Sequence, residues 1–313
     1  MLTWYEINED AKSYINSHRI LVKNEAEFKF NKYLQMYPDL KKLYDERRLL
    51  VYEIAKENIN NSGNKSKEKY MLLSEKLRNK LKKLKITKED ILPNYACSKC
   101  QDMGFLNGEA CDCLKERIYN LQLANNGFKK EDLPTFANVS FDIIKNEKEK
   151  KMQMSAYNVL KKIVDTDSKY KLISIFGGVG VGKTYMLKCV FEKALRNNLY
   201  AIYTSSFDLN QKMLEYHCAK IEDKKNIIKP YLEADVLCID DLGTENHINN
   251  VTTEYYYLIL DERTSKNKKT FITTNLNLEQ IRDVYDDRIF SRLCSNINAL
   301  KLNIEGSDLR LNM

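Results

Sequence analysis

The 313-residue sequence predicts an α/β fold: a parallel sheet covered by helices, preceded by an α-helical N-terminal region and a small cysteine module. Three observations carry this reading. From about residue 152 onward, short apolar runs of strand length alternate with helical patterns, the rhythm of a parallel sheet with helices on both faces. Ten glycines and four prolines are under half the usual share of about 12%, which favours long helices over a many-stranded all-β chain. Four of the eight cysteines crowd between residues 97 and 113. The 43% of hydrophobic residues, at a length fit for about two domains, excludes wholesale disorder.

Taken in order, residues 1–36 look helical but weakly patterned. From Pro38, the residues Leu40, Leu43, Tyr44, Leu50, Val51 and Ile54 recur at three- and four-residue steps, and Pro38 suits a first helical turn. The polar run 60–69, with Asn61, Ser62, Gly63 and Asn64, breaks the pattern. A second helix then sets Tyr70, Leu73, Leu77, Leu81 and Leu84 on one face at heptad-like steps. The two helices are expected to fold back as a hairpin whose stripe is core. The division that follows is 1–94 helical, 95–117 cysteine module and 130–313 sheet domain.

The net charge of +7 is unevenly spread. Residues 65–88 hold ten basic side chains against Glu68 and Glu75, whereas the chain after residue 94 is nearly neutral. Either an acidic partner or a solvated helix face accounts for that stretch. Its place in a heptad-patterned helix points to a protein rather than to DNA. Glu6, Glu9 and Asp10 interrupt any signal peptide, and no apolar run approaches the ~18 residues of a membrane span. A cytoplasmic location without membrane contact is expected, and there cysteines are not read as disulfides.

Cys97-Ser98-Lys99-Cys100 and Cys111-Asp112-Cys113 enclose Asn107-Gly108, a strong tight-turn signal. Four thiolates leave a metal no open position, so Cys97, Cys100, Cys111 and Cys113 would hold a structural zinc ion. Lys99, Lys115 and Arg117 would offset the excess negative charge. The second pair is one residue shorter than the usual spacing, and thiols without metal are the alternative. Cys189, Cys218, Cys238 and Cys294 stand alone and read as core.

Strands are expected at 172–176, 200–204, 236–239 and 270–273. The first runs into Gly177-Gly178-Val179-Gly180-Val181-Gly182-Lys183-Thr184, a complete G-x-x-x-x-G-K-[ST] followed by a helix at 185–196. Bare backbone there curls around phosphate oxygens, and the helix adds its positive end. Lys183 would reach the β- and γ-phosphates, Thr184 would ligate magnesium, and Tyr185 completes the ATP- or ADP-binding segment. The third strand ends in Asp240-Asp241, at the carboxyl edge where open α/β sheets bind ligands. Asp240 is the expected magnesium-side carboxylate and Asp241 the candidate to orient the attacking water. Asn275, after the fourth strand, either hydrogen-bonds that water or the γ-phosphate, or caps the helix starting near Leu278. Arg288 and Arg292, four apart, share one helix face. They either pair with Asp283, Asp286 or Asp287, or stabilise transition-state charge on a neighbouring subunit's nucleotide.

These motifs, with Asp240-Asp241-Leu242-Gly243-Thr244-Glu245, Thr273-Thr274-Asn275-Leu276, Arg288-Ile289-Phe290-Ser291-Arg292-Leu293 and Gly306-Ser307-Asp308-Leu309-Arg310, resemble AAA+ ATPases of the bacterial helicase-loader type, the DnaC/DnaI-like proteins. The resemblance runs from about Tyr95 to the last residue. It implies an AAA+ P-loop NTPase core with Asn275 as sensor 1, Arg292 as trans arginine finger with Arg288 beside it, and Arg310 as sensor 2. The double Asp departs from the Asp-Glu of AAA+ proteins at large, and implies weak basal ATP hydrolysis. Similar cysteine modules occur in the DnaI-like branch. The family implies loading of a DnaB-type hexameric helicase onto single-stranded DNA, with self-association through the AAA+ domain. The N-terminal segment would grip the helicase, although the first ninety residues match no motif. IstB-like transposition helpers share the core but look shorter at the N-terminal end, and a non-hydrolysing adaptor is a third reading. Phe207 and Tyr203 either stack DNA bases or pack in the core, and 136–141 lies where a base-pocket wall would be.

Overall fold

The computed structural model describes residues 1–60, 65–295 and 297–312, so the centre of the polar run, 61–64, lies outside the described residues. The chain forms two units, Lys12–Leu114, and Met1–Ala11 together with Lys115–Met313.

In the Lys12–Leu114 unit, helices α1 (Trp4–Met36, from Lys12), α2 (Pro38–Asn60) and α3 (Lys65–Lys83) carry the core. Leu34, Leu40, Leu77 and Ile86 are buried together, with Phe30, Tyr44 and Leu81 against them. The helical hairpin of α2 and α3 is therefore present, and its stripe is core. Val51, expected on the packed face, is exposed like Leu49 and Tyr52, because the buried positions of α2 concentrate at Leu40 and Leu50. Helix α1 looks weakly patterned in sequence for a physical reason. Its buried stripe of Ile15, Val22, Ala26 and Leu34 is narrow, and the opposite surface exposes Tyr14, Ile20, Leu21 and Phe28.

The cysteine module folds with these helices, whereas the sequence division set 95–117 apart. Its two short strands, Phe105–Leu106 and Glu109–Ala110, pair antiparallel through Asn107 and Gly108, which both have positive φ (51° and 85°). The buried Asp102 carboxylate accepts the amides of Ala96 at 3.0 Å and Cys97 at 2.8 Å, and meets His18 Nδ1 of α1 at 2.9 Å. That carboxylate ties the module to α1.

The other unit contains α4 (Asp112–Asn125, from Lys115), α5 (Glu147–Asp165), β1 (Leu172–Gly177), α6 (Lys183–Arg196), β2 (Ala201–Ser205), α7 (Ser206–Cys218) and α8 (Ile221–Glu233). There follow β3 (Val236–Leu242), α9 (Thr252–Ser265), β4 (Lys269–Thr274), α10 (Leu278–Tyr285), α11 (Asp287–Cys294) and β5 (Ala299–Ile304). The sheet is parallel, in the order β2-β3-β4-β1-β5. Four strands fall where the apolar runs place them. The fifth, β5, was not legible, since only its ends Ala299 and Ile304 are buried and Lys301 and Asn303 face outward. The core joins Ile173 and Ile175 of β1 to Met186 and Val190 of α6 and Leu160 of α5.

Two polar features hold this unit. The free edge of β2 is capped by side chains rather than by a strand. Gln122 of α4 accepts the Ala201 amide at 3.0 Å and donates to the Leu199 carbonyl at 3.1 Å, while Asn126 accepts the Tyr203 amide at 2.8 Å. Arg263 of α9 is fully buried and donates to the carbonyls of Tyr231, Ala234 and Lys269 and to Thr270 Oγ1, binding the α8–β3 turn to β4. Of the isolated cysteines, Cys189 and Cys238 are buried as expected and Cys294 partly so. Cys218 is exposed at the last turn of α7, where the apolar face has ended. Among the described residues, no helix is long and apolar enough to cross a membrane.

Candidate functional site

The carboxyl ends of β1, β3 and β4 converge on a cavity of about 530 Å³. Its lining includes Val179, Gly180, Gly182, Lys183, Thr184, Tyr185, Asp241, Asn275 and Arg310, together with Asn138 and Phe141 from the segment before α5. Gly182 adopts φ 94°, a left-handed conformation that starts α6 directly at Lys183. Gly180, at φ 78°, lies so close to the Asp308 carboxylate that a Cβ would collide with it. The last turn of the chain is held there by the Leu309 amide on the Gly180 carbonyl at 3.0 Å. Gly177, Gly178 and Val181 do not line the cavity. The first two offer their carbonyls to Lys183, and buried Val181 gives its carbonyl to Gln153 at 3.0 Å.

Lys183 Nζ is fully engaged, donating to Gly177 O at 3.0 Å, Gly178 O at 2.7 Å and Asn275 Oδ1 at 2.6 Å. Burial pulls its ammonium pKa down, against the upward pull of Asp241 and Asp240. Asn275 is therefore not the cap of α10. That role belongs to Asn277, whose side chain accepts the Gln280 amide at 2.9 Å.

Asp240 is buried beneath the loop and collects three hydroxyls. Thr184 Oγ1 donates to its Oδ1 at 3.1 Å, Thr273 Oγ1 to the same oxygen at 2.5 Å, and Tyr203 to its Oδ2 at 2.7 Å. Successive strand residues face opposite sides, so Asp241 would ordinarily point away from Asp240's side. A β-bulge between Ile239 and Leu242, with Asp241 at φ 58°, breaks that alternation and sets Asp241 in the cavity wall. Burial pushes the Asp241 carboxyl up, Asp240 adds to this, and Lys183 opposes it.

The arginines sit apart from this cavity. Arg288 pairs with Glu254 at 3.0 Å and Asp286 at 2.9 Å, and Arg292 donates to Tyr257 OH at 2.8 Å and to Asp261. Both guanidinium groups lie over the Tyr257 ring, at 5.0 Å and 4.0 Å. Of the acids expected as partners, only Asp286 serves. Arg310 lines the cavity but is paired with Asp308 at 2.9 Å.

Sequence reasoning does not assign Thr273 and Gln153 to the site, and it reads Tyr203 only as a base-stacking or core residue, not as a partner of Asp240. Thr273 was legible in principle, as the residue two before Asn275 at the end of β4. Tyr203 packs edge-on against Phe128 and Phe191, which leaves core packing rather than base stacking as its setting. Phe207 is exposed. The 136–141 segment does form cavity wall through Asn138, Val139, Ser140 and Phe141, while Phe136 packs on Tyr157.

In the Lys12–Leu114 unit, the Sγ atoms of Cys97, Cys100, Cys111 and Cys113 lie within 4.8 Å of one another. Cys97 and Cys111 are 3.8 Å apart, and Cys100 and Cys113 3.4 Å. Four sulfurs about 2.3 Å from one ion stand roughly 3.8 Å apart, so the spacing of the cluster is compatible with a tetrahedral metal ion. The Gly104 amide donates to Cys100 Sγ at 3.4 Å, and Lys99 pairs with Asp112 at 2.7 Å.

The bacterial DnaA ATPase domain matches residues 139–299, just over half of the chain. The chromosomal replication initiator protein DnaA of Borrelia garinii subsp. bavariensis is 27% identical over 133 residues, 42% of this chain and 27% of that protein. The chain spans between about a quarter and two fifths of the length of the curated relatives it matches. Among solved structures, DnaI superposes with a TM-score of 0.44 at 22% identity, covering 56% of this chain and 90% of that one. The DnaC helicase loader does so with 0.44 at 21%, covering 54% and 98%. With its phosphate loop, paired aspartates and five-stranded parallel sheet inside the matched region, the chain belongs to the family of the bacterial DnaA ATPase domain.

Proposed function

We propose that the chain binds ATP with magnesium in the cavity at the end of β1, hydrolyses it slowly to ADP and phosphate, and uses the nucleotide state to load a DnaB-type hexameric helicase onto single-stranded DNA. The observation that carries the nucleotide reading is the meeting of Lys183 and Thr184 at the start of α6, Asp241 of β3 and Asn275 just after β4 at one cavity, with Asp240 of β3 hydrogen-bonded beneath Thr184. The Thr184 hydroxyl and Asp240 carboxylate are hard oxygen donors side by side, the donor set that suits magnesium. When bound, magnesium neutralises phosphate charge. The chain's own part is to cradle phosphates on the loop amides, to place the Lys183 ammonium beside them, and to hold a water near Asp241. Asp241 has one methylene less than Glu, although the bulge sets its side chain in the cavity wall. Slow turnover follows.

The loader reading rests on the motif resemblance and on a basic, heptad-patterned α3 outside the ATPase unit. The four-thiolate cluster would hold zinc as a structural ion for residues 97–113. Self-association would bring Arg288 and Arg292 to a neighbour's nucleotide, in the cytoplasm where replication occurs. Phosphate release measured with and without single-stranded DNA and the resident helicase tests the reading. Stimulation by either supports it. Phosphate release absent under helicase saturation replaces the enzyme with a nucleotide-switched adaptor. Failure of the helicase to co-purify with the full chain removes the loader assignment while leaving the ATPase.

A further inference from the structure

We infer that Tyr203 is a positioning residue for the magnesium site: its phenol fixes the Asp240 carboxylate so that a single oxygen faces Thr184. This rests on the nucleotide reading above.

The geometry is specific. Asp240 has two oxygens. Oδ2 is taken by the Tyr203 hydroxyl at 2.7 Å, whereas Oδ1 is shared by Thr184 and Thr273. A carboxylate that receives three hydroxyls is used purely as an acceptor, which is the state a cation-facing carboxylate requires. Tilting the Asp240 carboxylate about its last bond away from this plane would stretch all three bonds. Tyr203 cannot easily follow such a tilt. Its ring is set edge-on against Phe128 at 5.2 Å and Phe191 at 5.7 Å, and its own amide is held by Asn126 at 2.8 Å. The phenol thus comes from a rigid neighbouring strand rather than from the phosphate loop, and it keeps its place whether or not the loop rearranges around phosphate. Hydrogen-bond partners of metal-facing groups orient those groups, and their removal typically weakens metal binding about 10- to 100-fold.

The test uses the full chain with Tyr203→Phe, which removes one oxygen and keeps the ring between Phe128 and Phe191. Binding of a fluorescent ATP analogue is titrated in EDTA and in Mg²⁺, and Mn²⁺ held by the nucleotide complex is titrated by electron paramagnetic resonance. The expected result is unchanged affinity in EDTA, with half-saturation by Mn²⁺ raised about tenfold. Unchanged Mn²⁺ half-saturation in a variant that binds the analogue normally overturns the inference and leaves the nucleotide reading intact. An equal loss of affinity with and without metal makes Tyr203 a packing residue and also overturns it. A wild-type chain that binds no analogue under either condition overturns the nucleotide reading, and this inference with it.

Discussion

Lys183 Nζ donates to Asn275 Oδ1 at 2.6 Å, so the phosphate loop after β1 and the tip of β4 are joined by a charge-assisted hydrogen bond. All acceptors of Lys183 are neutral oxygens, which anionic phosphate oxygens outcompete. Lys183→Ala is expected to weaken ATP binding by about 10- to 100-fold, the loss of one or more charged hydrogen bonds at ~1.5–3 kcal/mol each. Asn275→Ala removes the amide expected to contact the attacking water or γ-phosphate, so it should lower turnover; because it also removes a competitor for Lys183, nucleotide affinity should not fall. Equilibrium binding and single-turnover hydrolysis separate the two effects.

Asp241 supplies a pH signature. Its carboxyl is raised above the ordinary value, chiefly by burial. As pH falls, it therefore takes up a proton earlier than an exposed aspartate near 3.9 would. Hydrolysis that needs the ionised carboxylate should decline on the acid side at correspondingly higher pH, and Asp241→Asn should abolish that limb together with most of the rate. The sign for stability is opposite. A folded pKa above the unfolded one favours the fold at low pH, and that contribution is lost as pH rises through the folded value. A pH–rate profile for both proteins checks the first point. An unchanged rate in Asp241→Ala would remove Asp241 from catalysis.

What the residues disclosed in advance, and what they withheld, divides along physical lines. The phosphate loop, Asp240 and four strands were legible because each depends on local chemistry: bare backbone before a helix, or an apolar run ending in acids. The cysteine hairpin was legible for the same reason, since Asn107-Gly108 sets its own turn. Tyr203 on Asp240 was not, because the pair is formed by strand neighbours 37 residues apart. The bulge at Asp241 and the pairing of Arg288 with Glu254 and of Arg292 with Asp261 are likewise products of tertiary packing, whereas Asp286, two residues from Arg288, was legible locally. Asn275 shows the limit of local reasoning in the other direction, for the cap it might have supplied to α10 is made by Asn277.

The cysteine cluster predicts about one zinc ion per chain, since four thiolates complete one tetrahedral shell. Chelation should leave the ATPase unit folded while exposing the Gly104 and Cys111 amides to hydrogen exchange, because these bond within the module. Metal analysis finding no zinc, with Cys97, Cys100, Cys111 and Cys113 freely titratable in the native protein, would reject the site.

Arg263 predicts a stability defect unrelated to nucleotide. Its removal takes away the donor that Arg263 supplies to the carbonyls of Tyr231 and Ala234, and one of those on the Lys269 carbonyl. Arg263→Met should destabilise the ATPase unit by at least about 2 kcal/mol, given ~1–3 kcal/mol for each unsatisfied group. The urea midpoint is the measurement. Arg263→Lys should recover only part, since an ammonium lacks the planar spread of donors.

Arg292 predicts complementation. If it acts on a neighbour's nucleotide, Arg292→Ala chains and Lys183→Ala chains, each inactive alone, should regain hydrolysis when mixed. Arginine fingers contribute roughly 10³–10⁵ in rate, so even partial recovery is measurable. In the single chain Arg292 is engaged by Asp261, and Asp261→Asn should lower the protein concentration at which hydrolysis rises. Absence of recovery in the mixture would confine Arg292 to its own subunit.

The amide side chains of Gln122 and Asn126 along β2 have a consequence for assembly. They occupy the hydrogen-bonding groups through which a sixth strand would join. On the opposite margin, β5 points Lys301 and Asn303 outward, a polar fringe that discourages strand addition. Copies of this chain are thus steered to meet through helices and loops. A joint of that kind can open and reclose without unzipping a sheet.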